Sequence, residues 1–238
     1  MGLLTDILLK SSEKLLAPEK HRYFKKKLSD MHLVKYIKKE RKREGSAISQ
    51  LDKHKCIFIH IPKTGGTSIA RSFIGENVGH YEWYLLKKVF GKDYDSYFKF
   101  AIVRNPWDRV VSAYHYYQSD KITDANKIWA QQSGILELDF ENFIRDALEN
   151  AMDYHHFKTQ CSFIMDNNGK SMVDYVGRFE DLEEAAREVF SQIKINTQLE
   201  HFNKSQRKKD YRSYYNETTK SIIGRLYEED IAAFSYSF

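Results

Sequence analysis

The chain has 238 residues, 42% hydrophobic and 14% aromatic, with only 3 prolines and 11 glycines. That composition supports one domain with a buried core and an appendage, and it excludes a disordered or low-complexity protein. The net charge of +5 is uneven: residues 1–55 hold 15 Lys/Arg against 7 Asp/Glu, and the remainder holds 23 against 26. The basic excess therefore belongs to an N-terminal arm, residues 1–54, and the domain proper runs over 55–238.

In the arm, Leu4, Ile7, Leu8, Leu15 and Leu16 suggest a first short helix. Phe24, Leu28, Met31, Val34 and Ile37 recur at spacings of three and four, which is one face of a second helix. Its other face is rich in Lys and Arg from Lys25 to Arg43. Two readings stand: a solvated helix packed on the domain, or a helix lying on an anionic surface, membrane or acidic glycan. No recognition motif accompanies the charge, so nucleic acid is not an expected partner. No run approaches the roughly 20 apolar residues of a membrane span. The first twenty residues are too polar for a signal-peptide core, and the expectation is a soluble protein.

The domain opens with a buried strand at 56–61, followed by a helix at 67–75 that Gly75 ends. Residues 80–90 read as helix, FKFAIV at 98–103 as a second buried strand, and Pro106 to Tyr117 as a helix. A polar excursion fills 119–135, and helices follow near 139–150 and 154–164. VDYVGR at 173–178 is a third strand, and Asp181-x-x-Glu184 is a capping box for a helix at 182–193. A basic loop at 203–212 precedes a last helix at 217–230. Strands alternating with helices indicate an α/β, P-loop-like three-layer fold with a mainly parallel central sheet. Cys56 and Cys161 are the only cysteines, and Cys56 sits in a hydrophobic strand, so a buried thiol is expected rather than a disulfide.

CIFIHIPKTGGTSIA, from Cys56 to Ala70, is strand, glycine turn and helix start. Such a turn is an anion site, because the first helix amides lack partners and the dipole adds partial positive charge. Gly65 and Gly66 let the backbone approach an anion closely, Lys63 supplies a full charge, and Thr64, Thr67 and Ser68 supply hydroxyls. A nucleotide triphosphatase loop is written GxxxxGK[ST], with the lysine after the glycines. Here the lysine comes first and no GK[ST] occurs, so Mg-ATP hydrolysis is poorly supported.

FAIVRNPWDRVVSAYHYY, from Phe100 to Tyr117, repeats the architecture. Arg104 ends a strand, Pro106 opens a helix, and Ser112 lies two turns on from Asn105. A guanidinium at the strand end and a hydroxyl on the helix suit one phosphate held from two sides. Asp108 and Arg109 are read as knitting the turn together.

These two motifs resemble the PAPS-dependent sulfotransferases, specifically the membrane-type carbohydrate sulfotransferases and their bacterial relatives. HIPKTGGTS is similar to that family's 5′-phosphosulfate loop, and VRNPWDRVVSAY to its 3′-phosphate motif. VGRFEDL (176–182), HFNKSQRKKDYRSYY (201–215) and the ending IAAFSYSF are weaker matches in the right order, so the likeness covers about 55–238. It implies the donor 3′-phosphoadenosine 5′-phosphosulfate, the product 3′,5′-ADP, and no metal. Lys63 through Ser68 match the 5′-phosphosulfate segment, Arg104 and Ser112 match the 3′-phosphate pair, and Arg207 and Lys208 fall in the segment that closes over the nucleotide.

The implied reaction moves a sulfuryl group in line to a hydroxyl of a carbohydrate or glycan-like acceptor, with Lys63 neutralising charge on the departing oxygen. The hydroxyl needs a base. The resemblance implies His80, in GHYEWYLLKKVFG between the two phosphate motifs; Glu82, His155 and His156 are the other candidates and candidate acceptor contacts. His60 is read as packing. Gln160, in HHFKTQ, is read with the two histidines as lining the acceptor cleft. Lys63 and Arg104 are expected to meet ligand rather than core. The rival readings are a non-catalytic module binding the nucleotide or a sulfated glycan, and a P-loop kinase. The expected address is the cytoplasm of a bacterium, since Golgi members carry an N-terminal anchor.

Overall fold

The computed structural model describes residues 17–200, 208 and 210–238. The expected helix over Leu4 to Leu16 and most of the basic loop, Arg207 included, lie outside the described residues. The sheet has three parallel strands in the order β1 (Cys56–Ile59), β2 (Phe98–Val103) and β3 (Tyr175–Arg178). Cys56 pairs with Phe98 and Ile59 with Ala101; Phe100 pairs with Tyr175 and Val103 with Arg178. All four residues of β1 are buried, as are the last five of β2, the pattern of a parallel sheet covered by helices.

Before the sheet come α1 (Pro18–Lys42) and α2 (Ala47–Lys53). Between β1 and β2 lie α3 (Gly66–Ile74), α4 (Trp83–Phe90) and α5 (Lys92–Ser96). Beyond β2 come α6 (Pro106–Tyr117) and α7 (Asp124–Ser133), the second of these inside the polar excursion. A further helix, α8, runs from Phe140–Asn142 through a π-turn, Phe143–Ala147, into Leu148–Ala151. The short α9 (Cys161–Ile164) precedes β3, and α10 (Leu182–Gln192), α11 (Glu217–Leu226) and α12 (Glu228–Phe234) complete the chain. The last helix of the sequence reading is thus two, broken at Tyr227.

One core cluster surrounds the sheet and takes in Ile37, Ile48 and Leu51 from the first two helices. A second lies under α6 and joins Trp107, Tyr117, Phe143, Phe157 and Tyr227. Both cysteines are buried free thiols, and burial pushes the Cys56 thiol up to about 12. The arm helix packs on α4: the Tyr84 hydroxyl donates to Asp30 at 3.0 Å, and Arg41 bridges Asp52 at 2.7 Å and Asp93 at 2.5 Å. Among the described residues no helix is long and apolar enough to cross a membrane.

Candidate active site

The C-terminal ends of β1, β2 and β3 converge, the place where open parallel sheets bind ligands. The turn after β1 is tightly determined. Thr64, fully buried, donates its hydroxyl to the Ile61 carbonyl at 2.9 Å. Lys63 has φ +68° and Gly65 φ +79°, so the chain passes through left-handed conformations before α3 starts. A Cβ on Gly65 would lie 2.8 Å from Leu182 and 2.9 Å from Phe179, and one on Gly66 would lie 2.8 Å from Phe58. The two glycines therefore have a packing reason, beyond the close approach of an anion. Ser68 is nearly buried and its amide returns to the Gly65 carbonyl at 3.0 Å, whereas Thr67 is half-exposed.

Arg104 joins the two motifs. Its Nη1 donates to the Lys63 carbonyl at 2.9 Å, its Nε and Nη2 donate to Asp108 at 2.8 and 2.7 Å, and the guanidinium lies 3.8 Å over the Phe179 ring. At 5% exposed it is more structural than a residue meeting ligand alone. Arg104 is therefore built into the wall of the site, and the turn after β1 closes around its side chain. Gln160 is fully buried and brackets the Arg104 backbone, accepting from its amide and donating to its carbonyl, both at 2.8 Å. It does not line an acceptor cleft.

Arg109 is also fully buried and donates to the carbonyls of Pro62, Lys158 and His156 at 3.1, 2.8 and 3.3 Å. Asp108 and Arg109 do knit the turn, and Arg109 also fixes the 156–158 segment against it. Lys63 points its ammonium over the Tyr116 ring, 4.4 Å from the centroid.

Four histidine rings cluster beside this lysine: His60 to His80 at 4.3 Å and His155 to His156 at 4.1 Å are tilted, and His80 to His155 at 5.7 Å is stacked. His60 is buried and donates Nδ1–H to the Val78 carbonyl at 2.7 Å, a packing role as expected. His80 donates Nδ1–H to the His60 carbonyl at 2.8 Å. A carbonyl only accepts, so this bond fixes the tautomer and leaves Nε2 with the lone pair. Burial, followed by the charges of Lys63 and Arg109, pushes His80 down to about 4. Burial and the neighbouring rings push His155 down to about 3 and His156 well below its ordinary value. His156 is held by Tyr117, Oη to Nδ1 at 2.5 Å. Among the described residues no group of His, Cys, Asp or Glu is arranged to hold a metal.

The sulfotransferase family model matches residues 47–237. The chain belongs to the sulfotransferase family. It is also 29% identical, over 119 residues, to an uncharacterized protein of Archaeoglobus fulgidus, a stretch covering 50% of this chain and 85% of the other. No solved structure matches it significantly.

In this sulfotransferase-family chain the remaining predicted residues are dispersed. Ser112 sits half-buried further along α6, while Arg104 turns its guanidinium to Lys63 and Asp108. Lys208 is exposed, and its amide donates to the Tyr214 hydroxyl at 3.1 Å. Glu82 is nearly buried and ion-paired to Lys158 at 2.5 Å. Sequence reasoning missed Tyr116, Lys158 and Phe179 as parts of this site, and gave Gln160 a different place in it. Phe179 and Glu180 lie inside a quoted motif, VGRFEDL, and Glu180 accepts from the Asn105 amide at 2.7 Å. Nothing in the spacing of Lys158 and Glu82, 76 residues apart, signals their pairing.

Proposed function

We propose that this protein transfers the sulfuryl group of 3′-phosphoadenosine 5′-phosphosulfate to a hydroxyl of a carbohydrate or glycan-like acceptor. The observation that supports this most is the Arg104 guanidinium on the Lys63 carbonyl at 2.9 Å. That bond joins the two phosphate-type turns at one mouth, as gripping opposite ends of one adenosine bisphosphate requires. Lys63 to Ser68 would hold the phosphosulfate, with the first-turn amides of α3 adding donors. Arg104 and Ser112 would hold the 3′-phosphate, and Arg207 and Lys208 would close over the nucleotide.

His80 is the base in this reading. Its bare Nε2 takes the acceptor's proton as the oxygen–sulfur bond forms and the bond from sulfur to the phosphate oxygen breaks. Lys63 neutralises the charge left on that oxygen. Burial depresses His80 most, and an anion held at Lys63 offsets the smaller cationic contribution of Lys63 and Arg109, lifting its basicity during turnover. Glu82 is occupied by Lys158 and His156 by Tyr117, so His155, half-buried beside His80, is the favoured acceptor contact of the three.

The test is incubation with labelled donor and mixed glycans, with thermal shifts in 3′,5′-ADP and ATP run beside it. Transfer of label, and stabilisation by the bisphosphate over ATP of about 2.7 kcal/mol at a hundred times its Kd, are expected. Preference for ATP, or binding of the bisphosphate without any transfer, overturns the reading.

A further inference from the structure

Away from the histidines, α1 and α4 enclose a groove of about 550 Å³. Its floor is apolar: Val34 and Met31 come from α1 and the Tyr84 ring from α4. Met31 is 51% exposed and lines the groove with Val34 and Tyr84, so the apolar surface is a patch and not a lone side chain. Four exposed lysines rim the groove: Lys26, Lys27 and Lys35 from one helix, Lys88 from the other. Lys26 and Lys88 reach over the Tyr84 ring at 5.6 and 5.3 Å, so cations flank the apolar floor directly. Among the described residues Asp30 is the one acid lining it, and the Tyr84 hydroxyl donates to it at 3.0 Å.

The occupant this chemistry fits has an apolar part for the floor and negative charge for the rim. An acidic glycan satisfies the lysines but leaves Met31, Val34 and Tyr84 uncovered. We infer that the groove between α1 and α4 docks the protein on an anionic lipid surface, with an acyl chain on Met31, Val34 and Tyr84 and acidic headgroups among the four lysines. Basic side chains around an exposed apolar stripe are the arrangement by which helices bind the bilayer interface. The groove and the catalytic cleft share α4: Glu82, at its start, pairs with Lys158, and Tyr84 faces the groove.

The experiment is co-sedimentation of the full chain with phosphatidylglycerol vesicles and with phosphatidylcholine vesicles, across a salt series, alongside retention on immobilised heparin. Binding to phosphatidylglycerol only, weakening as salt rises, is expected. Lys26→Gln/Lys27→Gln/Lys35→Gln should weaken it by about a hundred-fold, at about five-fold per charge. Met31→Asp should also weaken it, with the residual binding more salt-sensitive than that of the parent. All four side chains are exposed, and each variant's thermal midpoint checks that it folds. No binding to phosphatidylglycerol vesicles, equal binding by parent and variants, or a Met31→Asp variant that loses nothing, overturns the inference. Retention on heparin with no vesicle binding overturns it in favour of a polyanionic sugar.

Discussion

Lys63 and Arg104 carry the same charge but different obligations. Lys63 rests over Tyr116 at a half-exposed position, so its removal touches little of the core. Arg104 is buried with Asp108, and a buried pair robbed of one partner typically costs about 3–5 kcal/mol. Lys63→Ala should lower turnover by about 10²–10³ with a nearly unchanged thermal midpoint. Arg104→Ala should lose activity and melt several degrees earlier; equal midpoints for the two would contradict the burial argument. His80 gives a pH signature. In the proposed role of base its competent form is neutral, and burial in the folded protein pushes it down to about 4 from the ordinary 6.5. The acid limb of kcat/KM, which reports the free enzyme, should therefore fall toward pH 4 and stay flat through 6.5. A limb at 6.5 that survives in His80→Gln assigns the titration elsewhere.

At the level of elements, α9 depends on a distant carboxylate. Asp230 on α12 accepts from the amides of Gln160 and Cys161 at 2.8 and 2.9 Å, supplying the start of α9 with acceptors. Burial raises the Asp230 carboxyl, and Arg109 opposes that rise. Asp230→Ala strands two buried amides at about 1–3 kcal/mol each, and the urea midpoint should drop accordingly. Asp230→Asn keeps one acceptor and should fall less. The same contacts explain what the sequence hid. Residues 154–164 show apolar spacing that suits a helix, but the carbonyls of His156 and Lys158 go to Arg109 and the amides of Gln160 and Cys161 go to Asp230. Tertiary partners replace the helical ladder there, and no local pattern reveals them. At Asp181 the expected capping box is not formed; a 3-10 turn, Phe179–Asp181, precedes α10, and Asp181 makes no side-chain cap bond. By contrast, FKFAIV and PWDRVVSAYHYY were legible to the residue, because unbroken burial and a proline at the first helical position are local signals. The α7 helix was masked by its polarity: it buries Ala130 and half of Trp129 while most of its length is exposed.

Over the whole molecule, the histidine cluster couples stability to acidity. His80 and His155 titrate near 4 and 3 in the folded chain, against about 6.5 when unfolded. Between pH 6.5 and 4 the unfolded chain therefore binds more protons, so stability is present above that window and is lost as pH falls through it. The thermal midpoint should decline steadily over that range, and His155→Gln should make the decline shallower. Parallel curves for parent and variant would remove the cluster as the cause. The arm is part of the same cooperative body, since Ile37 and Leu51 are fully buried in the cluster around the sheet. The site's parts come from the ends of three strands, with Arg104 lying over Phe179 and Gly65 against Leu182, and the three strands and their parallel sheet were legible while these cross-contacts were not.

The positive backbone angle at Lys63 sets folding against turnover. A branched or long side chain in that region costs about 1 kcal/mol or more, a penalty glycine escapes. Lys63→Gly should therefore fold at least as well as the parent, with a thermal midpoint equal or higher, yet lose turnover by the same factor of about 10²–10³. Selection acting on fold alone would have discarded this lysine, and a stability screen run without an activity assay would select its loss as an improvement.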